Sequence, residues 1–106
     1  MENFAKINLY YDFYGALLTA RQQQLIELYY GENWSLAEIG QEMQISRQAV
    51  YDTLKRAVQT LQKYESKLGL VAKTQQQQAL LKQALALLND NCQEASSLIW
   101  QVLESD

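Results

Sequence analysis

A short segment of this chain combines hydrogen-bond donors, an aromatic ring and positive charge at helical spacing. Its six candidate contact residues are Ser46, Arg47, Gln48, Tyr51, Lys55 and Arg56. Arginine can bridge O6 and N7 of guanine, and glutamine can pair with N6 and N7 of adenine. A helix that starts at Ser46 can bind a phosphate at its N-terminus. Lys55 and Arg56 suit the nucleic-acid backbone, and Tyr51 can stack on a base or touch a phosphate. The residue types therefore indicate a nucleic-acid-binding surface.

The distribution of charge supports this interpretation more than the net charge does. The chain has a net charge of −3 and an isoelectric point near 4.9. Residues 46–82 nevertheless carry seven basic and two acidic residues, whereas both flanking segments are acidic. A polyanion responds to the local sign of the charge. The negative charge of Asp52 interrupts the candidate surface and argues against tight phosphate binding. We therefore expect a selective, partner-assisted contact.

Several other classes of function are disfavoured by composition. The chain has no histidine and a single cysteine, Cys92, which argues against the usual zinc sites and an internal disulfide. It also lacks a phosphate-cradling glycine loop and a plausible pair of catalytic carboxylates. We therefore expect no enzymatic activity, no metal and no cofactor. No apolar run approaches a membrane span of about 18 residues and no signal peptide is recognisable, which predicts a cytoplasmic protein without membrane insertion.

The elements that must position the candidate surface are helices. A chain of 106 residues with no proline and four glycines is predicted to be all-α. Ser35 followed by Glu38 forms a capping box that starts a short helix, Leu36 to Met43. Ser46 then caps a longer helix that ends at Gly69. A short helix, a tight turn and a longer helix predict a helix-turn-helix at about residues 35–56.

The tight crossing of these two helices requires a small residue in the first of them. Ala37 and Gly40 are the candidates, and Gln44 occupies the turn where glycine is more common. Apolar residues are expected to face inward at the turn and along the second helix: Met43, Ile45, Ala49, Val50 and Leu54. The six candidate contact residues are left on the outer face.

Two further helices are predicted before this motif. Apolar residues recur every three or four positions and predict one buried face formed by Ile7, Tyr10, Tyr11, Tyr14, Leu17 and Leu18. Thr19 and Gln22 form a capping box for the second helix, which Gly31 is expected to end. The side chains expected to be buried there are Leu25, Ile26, Leu28 and Tyr29.

The C-terminal third is predicted to be a helical hairpin over residues 74–103. The run Gln75 to Gln78 is assigned to its first turn, residues 89–91 to the break, and Gln93 to about Leu103 to the last helix. That helix is expected to bury Leu98, Ile99, Trp100 and Val102. The chain thus divides into a helix-turn-helix domain, residues 1–70, and a helical extension, residues 71–106. Leucines on more than one face predict a homodimer formed through residues 61–103.

The segment from Tyr10 to Leu70 resembles the YlxM family of small bacterial proteins. The resemblance rests on FYGALLT (13–19), ELYY (27–30), SLAEI (35–39) and SRQAVYD (46–52) followed by LKR. It implies a helix-turn-helix similar to region 4 of sigma factors, in an all-α bundle with a C-terminal extension. It also implies a regulatory or RNA-associated role in the signal recognition particle pathway, with that particle's RNA and the targeting GTPases Ffh and FtsY as candidate partners.

Two functions stay open on the sequence. The first is a nucleic-acid-binding regulator, whose ligand can be DNA or the RNA of the targeting particle. The second is a protein-interaction module that docks on the targeting GTPases, using the aromatic-rich N-terminal helix and the C-terminal hairpin. For most of the N-terminal aromatic residues, core packing is the better interpretation.

Overall fold

The computed structural model describes residues 3–88 and 92–104, and the regular structure within them is helical. The α-helices are α1 (Phe4–Tyr14), α2 (Ala20–Ile26), α3 (Leu36–Met43), α4 (Arg47–Leu68), α5 (Leu70–Leu87) and α6 (Cys92–Glu104). A 3₁₀ turn at Gly15–Leu17 follows α1, and a π turn at Glu27–Gly31 follows α2. The all-α fold is confirmed. The chain divides into two compact units, residues 1–69 and 70–106.

Local hydrogen bonds fix where α2 and α3 begin. Thr19 Oγ1 accepts from the backbone N–H of Gln22 at 3.2 Å, and the Gln22 side chain accepts from the Thr19 N–H at 3.1 Å. Ser35 and Glu38 make the same reciprocal pair at 3.0 and 2.9 Å. Each pair satisfies N–H groups that the helix itself leaves without acceptors. Both predicted capping boxes are confirmed. The bonds to Ser35 also lower the pKa of the Glu38 carboxyl.

The core of the first unit is built around α4, which packs against α1, α2 and α3. Its inner face is formed by Val50, Leu54, Ala57, Val58 and Leu61. The other elements contribute Ile7, Tyr14, Leu18, Leu25, Ile26, Tyr30 and Ile39. The Tyr14 hydroxyl donates to Glu65 Oε1 at 2.6 Å and so ties α1 to α4. This packing holds α4 with its opposite side exposed.

The π turn changes which aromatic residue is buried. Its i→i+5 bond, from the N–H of Glu32 to the carbonyl of Glu27 at 2.9 Å, adds one residue to the turn. Tyr30 is consequently buried, and Leu28 and Tyr29, which the sequence placed in the core, are only half-buried. The buried Tyr30 hydroxyl has no hydrogen-bond partner among the described residues.

Two further expectations for this region are wrong. Gly31 does not end the helix in a left-handed conformation, because it lies within the π turn and the positive φ of 62° falls on Asn33. Leu17, expected to be buried, is 57% exposed. The helix that carries it changes from α to 3₁₀ after Tyr14, so Leu17 no longer follows the 3.6-residue repeat.

The second unit contains α5 and α6, which pack against each other. Helix α5 begins at Leu70, earlier than predicted, so Gln75–Gln78 lie beyond its first turn. In α6, Leu98 and Val102 are half-buried as part of the inner face. Trp100 is 60% exposed because it lies about 200° around the helix from Leu98, and Ile99 is 37% exposed, so their predicted burial within the chain is wrong. The predicted break at residues 89–91 lies outside the described residues.

Candidate nucleic-acid interface

The turn between α3 and α4 sets the geometry of the interface. Gly40 is buried at the crossing, and a Cβ atom there would lie 2.8 Å from the carbonyl oxygen of Ile45. Of the two small residues considered from sequence, Gly40 is therefore the one the crossing requires, since Ala37 is exposed. Gln44 adopts the left-handed conformation (φ 57°, ψ 43°), and the N–H of Ile45 bonds to the Gly40 carbonyl at 3.0 Å. The chain thus reverses within a few residues.

The first turn of α4 is ordered by its cap. Ser46 Oγ accepts from the backbone N–H of Ala49 at 3.0 Å, which confirms the predicted cap. The N–H groups of Arg47 and Gln48, the first two residues of the helix, have no acceptor within the helix. Together with the positive end of the helix dipole, these groups suit a phosphate oxygen.

The structure places all six candidate contact residues on exposed positions of α4 or its cap. They face away from the buried inner side of the helix. Arg47, Tyr51 and Lys55 follow one another at intervals of four residues and form a stripe about 12 Å long. Within the described part of the chain, none of Arg47, Lys55 and Arg56 has an ion-pair partner. Their charges therefore face solvent, where a phosphate can approach.

Asp52 plays a role that the sequence interpretation missed. Its Oδ1 accepts a hydrogen bond from Gln48 Nε2 at 3.0 Å, one helical turn away. The bond restricts the Gln48 carboxamide and leaves its Oε1 available as an acceptor. Glutamine and aspartate four residues apart often pair in helices, so the spacing itself carried this signal.

A cavity of about 270 Å³ lies between the start of α3 and the first turns of α4. It is lined by Leu36, Arg47, Gln48 and Tyr51. Leu36 was interpreted from sequence only as the first residue of α3. Its presence here depends on how the two helix starts approach each other across the Gly40 crossing.

A second cavity, of about 420 Å³, lies beside α1 and the π turn. It is lined by Asn8, Tyr11, Gln24, Glu27, Leu28, Gly31 and Glu32. The Tyr11 hydroxyl donates to Glu27 Oε2 at 2.5 Å. Burial, together with this bond and the carboxylate charge, raises the pKa of Tyr11 to about 12. Two carboxylates and no cationic side chain among the lining residues make this cavity unsuitable for a polyanion.

Residues 3–88 and 92–104 contain no group of three or more cysteine or acidic side chains that could hold a metal ion. None of the helices in these two ranges has the length and apolar character needed to cross a membrane.

Comparison with known proteins identifies the family. Residues 1–100 match the family UPF0122, described as "Putative helix-turn-helix protein, YlxM / p13 like". The chain belongs to this family. The resemblance to YlxM proteins is thereby confirmed, and so is the helix-turn-helix class of the α3–α4 motif.

Relatives within the family resemble most of the chain. A UPF0122 protein of Desulforamulus reducens is 57% identical over 89 residues, covering 84% of this chain and 76% of the relative. One from Listeria monocytogenes is 45% identical over 87 residues, covering 82% and 79%. A UPF0122 protein of Bacillus pumilus is 44% identical over 101 residues, covering 93% and 92%. The similarity to the last of these extends well into the second unit.

Proposed function

We propose that this protein is a nucleic-acid-binding regulator whose contact surface is the exposed face of α4. The observation that carries the proposal is the grouping of Arg47, Lys55 and Arg56 on that face without ion-pair partners in the described residues. These cations cost the unbound protein little stability, because water solvates them. They become favourable contacts when phosphates displace the water and release counterions.

The roles along the face follow from the distance of each residue from the helix start. Arg47 and Gln48 lie in the first turn of α4, the part of a recognition helix that meets base edges. Lys55 and Arg56 lie two turns further along and fit the sugar-phosphate backbone. The Gln48–Asp52 bond fixes one reading group in advance, which reduces the entropy lost on binding. A single basic stripe within an acidic protein supports selective contact rather than general coating of nucleic acid.

The setting we propose is the signal recognition particle pathway, which the YlxM resemblance implied. Its structured RNA is then a ligand to compare with promoter DNA. An α-helix fits the major groove of B-form DNA, whereas the narrow major groove of A-form RNA excludes side chains. On RNA, contacts of this face would therefore be led by phosphates and by bases outside the paired stem.

Crosslinking in cells tests the proposal. Ultraviolet crosslinking followed by sequencing of the recovered nucleic acid is compared between the unchanged chain and an Arg47→Ala, Lys55→Ala double variant. A matched control, Lys67→Ala, removes a cation at the far end of the same helix. We expect discrete crosslinked sites that the double variant loses and the control keeps. Recovery that is the same for all three proteins would contradict the proposal.

A second candidate function, protein docking, is supported by the apolar residues exposed in the second unit. Leu85 is 64% exposed and Trp100 60% exposed, and Leu81, Leu88 and Leu103 are also exposed. Leu81, Leu85 and Leu88 are three or four residues apart and so share one face, and a contiguous exposed apolar patch commonly marks a protein interface. The occupant we propose is a second copy of the chain, giving a two-fold dimer with two α4 faces for a paired site. The GTPases Ffh and FtsY are the alternative occupants.

Light scattering separates these occupants. We expect a dimer at tens of micromolar, converted to a monomer by Leu85→Glu but not by Gln83→Glu, which adds the same charge at an exposed polar position of α5. A monomeric unchanged chain would contradict the dimer. Capture of the GTPases from nuclease-treated extract would then favour the docking function.

A further inference from the structure

The cavity between α3 and α4 has a size and lining that the helix-turn-helix alone does not explain. Its volume of about 270 Å³ lies just below the range of about 300–1,000 Å³ typical of sites for drug-sized ligands. It therefore suits one small ring system. Tyr51 is 38% exposed and Leu36 is half-buried, so each presents part of its side chain to the space between them.

The lining combines two kinds of surface. The Tyr51 ring and the Leu36 side chain are apolar, whereas Arg47 and Gln48 supply a guanidinium and a carboxamide. A free phosphate would use the guanidinium but gain nothing from the ring or the leucine. A cationic ligand would be repelled by Arg47. A flat ring with donors and acceptors on its edge uses all four side chains, and a nucleobase has this character.

Base pairing in the nucleic acid decides which nucleobases can enter this cavity. Inside a duplex both faces of a base are covered by its neighbours, so the Tyr51 ring cannot reach them without unstacking the base. A bulged or looped base has a free face and a free Watson–Crick edge. Because Asp52 holds Gln48 Nε2, the carboxamide offers Oε1 as an acceptor to that edge, beside the donors of Arg47.

We propose that the cavity lined by Leu36, Arg47, Gln48 and Tyr51 binds a single unpaired nucleobase. This inference rests on the proposed function and makes it more specific, because it assigns the ligand as a structured nucleic acid with a bulged or looped nucleotide. Base stacking on Tyr51 supplies the selectivity, while Lys55 and Arg56 hold the adjacent backbone.

The test uses two oligonucleotide hairpins with the same stem. One carries a single bulged 2-aminopurine, the other has that base paired, and both are made as RNA and as DNA. With the unchanged chain, we expect tighter binding of the bulged hairpin in at least one of the two backbones. We also expect binding to quench the 2-aminopurine fluorescence, because the base stacks on the tyrosine ring.

Variants at Tyr51 separate stacking from charge. Tyr51→Ala should weaken binding of the bulged hairpin about five- to 150-fold more than it weakens binding of the paired hairpin. Tyr51→Phe keeps the ring and should retain both the affinity and the quenching. Tyr10→Ala, which changes a tyrosine on α1 outside the cavity, should bind like the unchanged chain. Circular dichroism checks that each variant is folded.

The outcomes distinguish this inference from the function on which it rests. The base-binding cavity is overturned if the unchanged chain binds both hairpins with equal affinity and Tyr51→Ala lowers both affinities equally. If an Arg47→Ala, Lys55→Ala variant loses this binding, the proposed function still stands. Failure of the unchanged chain to bind either hairpin in either backbone overturns the base-binding cavity, and the crosslinking comparison then decides the proposed function separately. Bulge-selective binding that Tyr51→Ala abolishes supports both.

Discussion

Replacing Gly40 by alanine should have two opposing effects on the stability of the first unit. A Cβ at this position would lie 2.8 Å from the Ile45 carbonyl oxygen and 3.5 Å from the backbone nitrogen of Arg47. Both are main-chain atoms, so no side-chain rotation relieves the contact and α3 must move away from α4. Overpacking of this kind costs about 1–3 kcal/mol, and alanine regains about 1 kcal/mol of helix propensity. We expect a net loss of about 1 kcal/mol.

The chain offers a matched control at Gly31. No atom lies within 4 Å of a Cβ built there, and its φ is not positive. Gly31→Ala should therefore stabilise the first unit by about 0.4–1 kcal/mol, mainly by restricting the unfolded chain. The two alanine variants should thus move in opposite directions and differ by up to about 2 kcal/mol.

Urea unfolding measures this difference. In a Trp100→Phe background, Trp34 is the only tryptophan, and its fluorescence reports on the unit that contains the crossing. With a slope of about 1–3 kcal/mol/M, the two midpoints should differ by roughly 1 M. Midpoints that shift upward together for Gly40→Ala and Gly31→Ala would refute the argument that the crossing requires glycine.

The remaining predictions concern four single side chains. Tyr14→Phe should lower the free energy of unfolding by about 1.5–3 kcal/mol, because it removes a hydrogen bond to a carboxylate. Tyr30→Phe should raise it by about 1 kcal/mol, because it removes a buried hydroxyl that has no partner in the described residues. A lower free energy of unfolding in both variants, measured with urea, would contradict this. Gln44→Gly should raise the melting temperature, since a left-handed non-glycine residue is strained; an unchanged or lower value would count against strain. Because burial and then the bond to Glu27 raise the pKa of Tyr11 to about 12 from 10.0, its neutral form stabilises the fold below pH 10 and this stability is lost as the pH rises from 10 to 12. The difference in unfolding free energy between the unchanged chain and Tyr11→Phe should therefore shrink over that interval, and a constant difference would contradict the assignment.

The sequence predicted most reliably what depends on neighbouring residues. The capping boxes at Thr19 and Ser35, the cap at Ser46 and the end of α4 at Gly69 are each decided within about four residues. Their side-chain chemistry is therefore visible in the sequence. The inner face of α4 was equally predictable from Val50 to Leu61, because burial follows the 3.6-residue repeat. The same apolar repeat continues to Leu68, which is 55% exposed, so its predicted burial is wrong.

The sequence predictions that were wrong or missing concern features that depend on the packing of different segments. The π turn that buries Tyr30 inserts one residue into a regular repeat, and no local signal distinguishes it from a continued α-helix. The cavity at Leu36 combines this residue of α3 with residues of α4 that are at least eleven positions away in the chain. The exposure of Trp100 was missed because apolar content predicts burial without specifying whether this chain or a second copy provides the covering surface.

The salt dependence of binding tests the proposed interface most directly. The bulged hairpin is titrated by fluorescence anisotropy between 50 and 200 mM salt with the unchanged chain, Lys55→Ala and Lys67→Ala. Lys67 lies twelve residues further along α4, about 18 Å away at 1.5 Å per residue, so it matches Lys55 in type but not in position. If Lys55 contacts a phosphate, its loss should reduce the slope of log affinity against log salt by about 1, and loss of Lys67 should leave the slope unchanged. Equal slopes for the unchanged chain and Lys55→Ala would contradict a nucleic-acid interface on α4.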